Sequence, residues 1–248
     1  MMRKFPFLTV CFLFLAIHSY AQFAKGTRMV GASVASMFFN SGTSDQTVTS
    51  IGSTTATVRG FGVSITPSIG WFISGNTAVG ASLNLNPSGE TISFEERGST
   101  FQRDKFNNFN IGFGGFVRNY FKSGGSVLPF GQIGLNAGIS NLKKSGFFYG
   151  GVDPNDYKET YEGNSSGGFL TEASFLLGVT KMMGDQTGLD LYIGYNFSYN
   201  KNTMKTTRLR DDQIDGVIDQ TATNETTSKY TNHRFLIGVG FQIFLRKK

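Results

Sequence analysis

Few residues in this chain have the type and spacing for chemistry, and each candidate lacks a part its chemistry needs. His233 is the only imidazole beyond the first 21 residues, so a serine nucleophile that needs a base must use it. Lipid deacylation is served by a His-x-Ser pair beside an acid, whereas His233-Arg234-Phe235 has no serine. An interfacial histidine without a catalytic role is the simpler account. Asp211, Asp212, Asp215 and Gly216 share part of the spacing of a calcium loop, whose oxygen ligands recur every second residue and end in a Glu at the twelfth position. Gln213 stands third and Ala222 twelfth, so a solvated acidic loop is expected. Gly112-Phe113-Gly114-Gly115 opens no helix and cannot cradle phosphate as a nucleotide loop does. Asn164-Ser165-Ser166 and Asn224-Glu225-Thr226 match glycosylation acceptors at a chance level. The sequence therefore points to no catalytic residue, no cofactor and no metal ligand set, and to a non-enzymatic protein.

The first residues bound the compartment. Arg3 and Lys4, the apolar run Phe5 to Ile17, and the small residues Ser19 and Ala21 have the layout of a secretory signal peptide cleaved after Ala21. Residues 1–21 are thus read as a signal and residues 22–248 as one domain. The only cysteine, Cys11, lies inside that segment, so no disulfide is expected beyond it. The chain carries 23 basic and 17 acidic residues; without Arg3 and Lys4, 21 against 17 leaves +4. The basic residues form no stripe, and nucleic acid is not an expected partner.

About eight short segments then alternate large apolar residues with small polar ones. In the last, Phe235, Ile237, Val239, Phe241, Ile243 and Leu245 share one parity, which is a strong strand signal. Similar stripes run through Phe61 to Trp71, Val79 to Leu85, Phe109 to Phe121, Ile133 to Ile139, Phe169 to Val179 and Leu189 to Tyr199, with a weaker one at Arg28 to Phe39. Ser74-Gly75-Asn76, Lys122 to Ser126 and Gly184 to Gly188 are turn material. The stretches 40–57, 87–105, 141–167 and 200–230 read as long polar loops. Pro67, which removes a ladder donor, predicts a bulge in the second strand.

The polar parity separates a membrane barrel from a soluble sandwich. It holds Gly112 and Gly114, then Gln132, Gly134, Asn136 and Gly138, then Gly194, Asn196 and Ser198, rather than the charged residues of a wetted face. Small polar side chains suit the narrow lumen of an eight-stranded barrel. Arg28, Arg59 and Lys181 share the apolar parity only near strand ends, where long stems reach an interface. Arg118, Glu172, Asp190 and Arg234 lie on the lumen parity and are expected to form two cross-lumen ion pairs, Arg118 with Asp190 and Glu172 with Arg234. Aromatics collect near both strand ends, including Trp71, Phe72, Tyr120, Phe121, Phe130 and Phe244 on the turn side, as two interfacial girdles would require.

The fold class expected is all-β, an eight-stranded antiparallel up-and-down transmembrane β-barrel. Over residues 26 to 245 this pattern resembles the small OmpA-like or OmpX-like outer-membrane barrels, the outer membrane protein beta-barrel domain family. The resemblance implies outer-membrane lipid and the barrel-assembly machinery as partners, with Gly238, Phe241 and Ile243 as the assembly signal. Leu236 stands where that signal prefers a polar residue, and Arg246-Lys247-Lys248 come last where a terminal aromatic is usual. The functional expectation is a structural or surface-interaction role through four long outer loops, with Phe147, Phe148 and Tyr149 as contact residues for a surface ligand. The alternatives are a narrow solute channel gated by the lumen charges and, third, a lipid-modifying enzyme.

Overall fold

Period-two alternation places one set of side chains on each face of an extended strand, and here it builds a closed wall. The computed structural model describes residues 23–48, 52–121, 125–150, 157–165 and 167–246. The expected signal segment, residues 1–21, lies outside them. The strands are β1 (Arg28–Val48), β2 (Gly52–Phe72), β3 (Thr77–Glu96), β4 (Ser99–Tyr120), β5 (Val127–Gly150), β6 (Tyr157–Ser165), β7 (Gly168–Met182), β8 (Thr187–Asp212) and β9 (Gln220–Leu245). All pairings are antiparallel, and β9 returns to β1, so the sheet closes on itself. Both β6 and β7 fill the gap between β5 and β8, one after the other. The nine strands therefore form eight staves of an up-and-down barrel, one stave being interrupted just before β7.

The two ends of the barrel differ. At one end the chain reverses in short turns: the Ile73 amide donates to the Thr77 carbonyl and the Thr77 amide to Ser74 Oγ, and the Met183 amide donates to the Thr187 carbonyl. Arg28 and Leu245 pair at this end, so the first and last strands begin and finish there. The other end corrects the sequence reading, because the stretches expected as long loops are mostly strand. β3 and β4 stay paired to Glu96 and Ser99, leaving only Arg97 and Gly98, both at positive φ, to make the turn. β8 and β9 pair without a break from Thr187–Ile243 to Arg210–Gln220. Apart from the aromatics of β3 to β6, these extensions are polar on both faces and carry no sustained apolar alternation to read. Their strand signal is β-branched threonine, as in Thr43, Thr47, Thr54, Thr55 and Thr57 on one hairpin and Thr221, Thr223, Thr226 and Thr227 on another.

A band of exposed Val, Leu, Ile and Phe circles the lower part of the wall, including Ile69, Phe113, Leu135, Leu177, Ile193 and Val239. Arg28 and Lys181 are exposed at its lower margin and Arg59 at its upper one. The bulge lies in a different strand from the one Pro67 suggested. The β1–β2 register shifts between Ala35 and Phe38, whereas Pro67 pairs with Ala32 in unbroken register. The β2–β3 pairing keeps one register throughout, with one short gap beside Pro67 and another opposite Asn86 and Pro87, so the missing donor costs a local gap instead of a slip. The β1 shift reverses the parity above it: Phe38 turns inward against Gly62, while Phe39 faces out.

Candidate functional site

The interior is layered from the turn end upward. Met29, Phe72, Tyr120, Leu128, Phe130 and Phe244 project inward from five staves and are almost wholly buried. Phe23, just ahead of β1, stacks into this layer at 4.3 Å from Phe72 and 4.7 Å from Phe244, and its amide donates to the Gly75 carbonyl. Phe72, Tyr120, Phe130 and Phe244 were expected in an interfacial girdle; they form an apolar floor across the barrel instead. Their parity was the available signal, since Phe130 shares a face with Gln132 and Gly134, and Phe244 with Gln242 and Gly240. Trp71, by contrast, is exposed on the outside.

On the floor rests a buried ion pair. Arg118 on β4 reaches across to Asp190 on β8 at 2.7 Å, with the two residues 5 % and 0 % exposed. Further side-chain hydrogen bonds surround the pair. Asp190 also accepts from Thr180 Oγ1 at 2.6 Å and Gln242 Nε2 at 3.1 Å, while Arg118 Nε donates to Gln132 Oε1 at 2.8 Å. The guanidinium lies 4.0 Å over the Phe130 ring, which joins the pair to the floor. A pair this enclosed keeps its place because each charge is hydrogen-bonded to neighbouring side chains as well as to its partner.

Above the pair is a polar cavity of about 180 Å³, lined largely by Ser, Asn and Thr, with Glu172 and Arg234 in its wall. The expected Glu172–Arg234 ion pair is not formed. Glu172 accepts from Asn84 Nδ2 at 3.0 Å, and the exposed Arg234 stays beyond ion-pairing distance. The reason is position: Arg234 lies on the exposed side of the cavity, and Asn84 satisfies the carboxylate from the facing stave. Asn110 Oδ1 and Gln242 Oε1, both on this cavity, are buried acceptors without a hydrogen-bond partner.

Higher still, the hairpins enclose a second cluster that no sequence motif announced. Tyr161 donates to Asp104, Lys144 lies 3.5 Å from the same carboxylate, and Lys144 sits 5.0 Å over the Tyr161 ring. Burial, then the hydrogen bond to Asp104 and its charge, pushes the Tyr161 phenol well above the usual tyrosine range. Arg208 pairs with Glu159 at 2.9 Å, and Arg210 stacks 3.8 Å over Tyr157. Phe147, Phe148 and Tyr149, expected in a loop, are consecutive residues of β5 and are half-buried. Phe148 packs near Phe101 and Tyr157, while Phe147 and Tyr149 share the outer face beneath Arg103 and Lys158.

The remaining candidates have structural surroundings. The His233 ring lies on the outer face, hydrogen-bonded to the Tyr195 hydroxyl and 5.2 Å from Phe197. Asp211 accepts the Asp215 and Gly216 amides at 3.1 and 3.0 Å, so its carboxylate holds the β8–β9 turn. Among the described residues no three His, Cys, Asp or Glu side chains are placed to hold a metal. Gly238 faces inward beneath the Tyr192 ring, and Phe241 and Ile243 face outward where β9 pairs with Ala32 and Val30 of β1.

No protein-family model and no curated protein matches the chain. Among solved structures it is similar to the outer membrane protein OprG from Pseudomonas aeruginosa, at 12% identity over 92% of this chain and 99% of that one, TM-score 0.35. Neisserial surface protein A aligns at 16% identity over 87% and 96%, TM-score 0.32. The outer membrane protease OmpT from Escherichia coli aligns at 8% identity over 91% and 99%, TM-score 0.36. At such identities and scores these likenesses carry no functional argument, and the barrel rests on its own closed hydrogen-bonded wall.

Proposed function

We propose that this chain is an integral outer-membrane barrel, without enzymatic activity, whose tall hairpins form an interaction surface outside the cell. One observation carries the reading: an apolar band faces outward around an interior that is polar above a sealed floor. Water would leave that band exposed, whereas acyl chains cover it, and closure of the lower wall satisfies most of the backbone there. The short turns then face the periplasm and the hairpins face outward.

The floor argues against the channel alternative. Among the described residues, seven side chains from Phe23 to Phe244 and the Arg118–Asp190 pair lie across the barrel interior. The working surface is accordingly assigned to the hairpins, including Phe147 and Tyr149 with the cations above them, and the assembly signal to Gly238, Phe241 and Ile243. Refolding into vesicles, with heat-modifiable electrophoretic migration as the readout, tests the barrel. Planar-bilayer recording tests the floor: the expected result is no steady conductance, and stable single-channel steps would reverse the assignment.

A further inference from the structure

The wall is not closed over its whole height. β1 and β9 pair from Arg28–Leu245 only as far as Ala35–Gly238, and among the described residues no pairing joins them above that point. Every other neighbouring pair of staves continues upward, so the extension is a curled sheet slit along one side. The slit begins within the apolar band. Outward-facing apolar residues continue above the last pair, to Phe39 on β1 and Phe235 on β9, and Phe235 is 90 % exposed. Unpaired backbone at lipid depth is costly unless something bonds to it.

The slit leads into the polar cavity. Phe38 and Leu236, one on each lip, line that cavity together with Glu172 and Arg234. The carboxylate and guanidinium share the space without pairing, and Asn110 Oδ1 adds an unpartnered acceptor. Separated opposite charges of this kind complement a headgroup that carries both an ammonium and a phosphate. The lips supply apolar surface for the glycerol and upper acyl segments attached to such a headgroup.

We propose that the β1–β9 slit is a lateral portal through which one zwitterionic phospholipid, of the phosphatidylethanolamine class, seats its headgroup between Glu172 and Arg234 with its acyl chains left in the bilayer. The ammonium donates to Glu172 and Asn110, the phosphate accepts from Arg234, and ester and phosphate oxygens accept from the open β9 edge. The inference rests on the membrane reading above.

The test uses the folded barrel in phosphatidylcholine vesicles that contain equal small fractions of phosphatidylethanolamine and phosphatidylglycerol, with mild detergent extraction and native mass spectrometry as the readout. One phosphatidylethanolamine per barrel is expected, retained about tenfold over the other two lipids. Glu172→Gln and Arg234→Gln should each remove about tenfold of that preference while keeping heat-modifiable migration. Arg234 is exposed and outside the packed interior, so its variant remains decisive if Glu172→Gln misfolds. Equal retention of all three lipids, undiminished preference in the folded variants, or a lipid-free dimer that closes the slit would overturn the portal. So would displacement by water-soluble phosphoethanolamine as effective as by the lipid. A chain that never enters vesicles defeats the membrane reading itself, whereas an inserted barrel without lipid preference defeats only the portal.

Discussion

Asp190→Asn is the most informative single change, because it keeps the shape and removes one charge from a fully enclosed pair. Asp190 accepts three side-chain hydrogen bonds, from Arg118, Thr180 and Gln242. An asparagine can keep the bonds, its amide donating to the Thr180 hydroxyl and its carbonyl accepting from Arg118 and Gln242, but it leaves the Arg118 guanidinium without a counter-charge. Breaking a buried pair in this way costs about 3–5 kcal/mol. With a urea dependence of about 2 kcal/mol per molar, the unfolding midpoint should fall by about 2 M. The chain has one tryptophan, Trp71, on the outer face, so its fluorescence follows the transfer of the wall from detergent or lipid to water. Arg118→Met combined with Asp190→Leu removes both charges and should recover stability to within about 1 kcal/mol of the parent. A loss below about 1 kcal/mol for Asp190→Asn alone, with migration unchanged, would show that the pair is hydrated and would refute its role as a buried seal.

Glu172→Gln should cost less than about 1 kcal/mol, since the new side chain still accepts from Asn84 and no ion pair is broken; chemical unfolding beside Asp190→Asn makes the comparison. Phe244→Ala should destabilise the fold by about 3–5 kcal/mol in the same assay, because it leaves a cavity in the floor. Replacing residues 145–165 by a tight turn should spare insertion and heat-modifiable migration while abolishing whatever surface binding the parent has; binding retained at parental strength would remove this hairpin from the working surface. The Tyr161 phenol titrates above its unfolded value, so its contribution is complete below the ordinary phenol range and is lost only as pH rises through the higher folded value. Ultraviolet tyrosinate titration of the parent minus Tyr161→Phe should therefore show a missing component at the alkaline end.

The amino-acid sequence by itself determined which side of each lower strand faces out of the barrel, because period two puts one stripe of side chains on each face and the apolar stripe is written in Ile133, Leu135, Ala137 and Ile139. It also determined the short turns at Ser74 to Asn76 and Gly184 to Gln186, and put Arg118 and Asp190 at the same level of the lumen. The hairpin extensions were not legible: largely polar strands lose the apolar alternation, and backbone pairing across the sheet is what keeps them extended. The register shift between Ala35 and Phe38 was hidden for a related reason, since one extra residue in β1 is defined only against its partner β2. The floor was partly written, in Phe130 and Phe244 on the polar parity, yet only the closed wall brings them together with Phe23 and Tyr120. Only the tertiary structure decided that Glu172 bonds to Asn84 rather than Arg234, and that β1 and β9 part within the apolar band. Partner choice across a lumen and closure of a seam depend on three-dimensional distance, which strand periodicity does not encode.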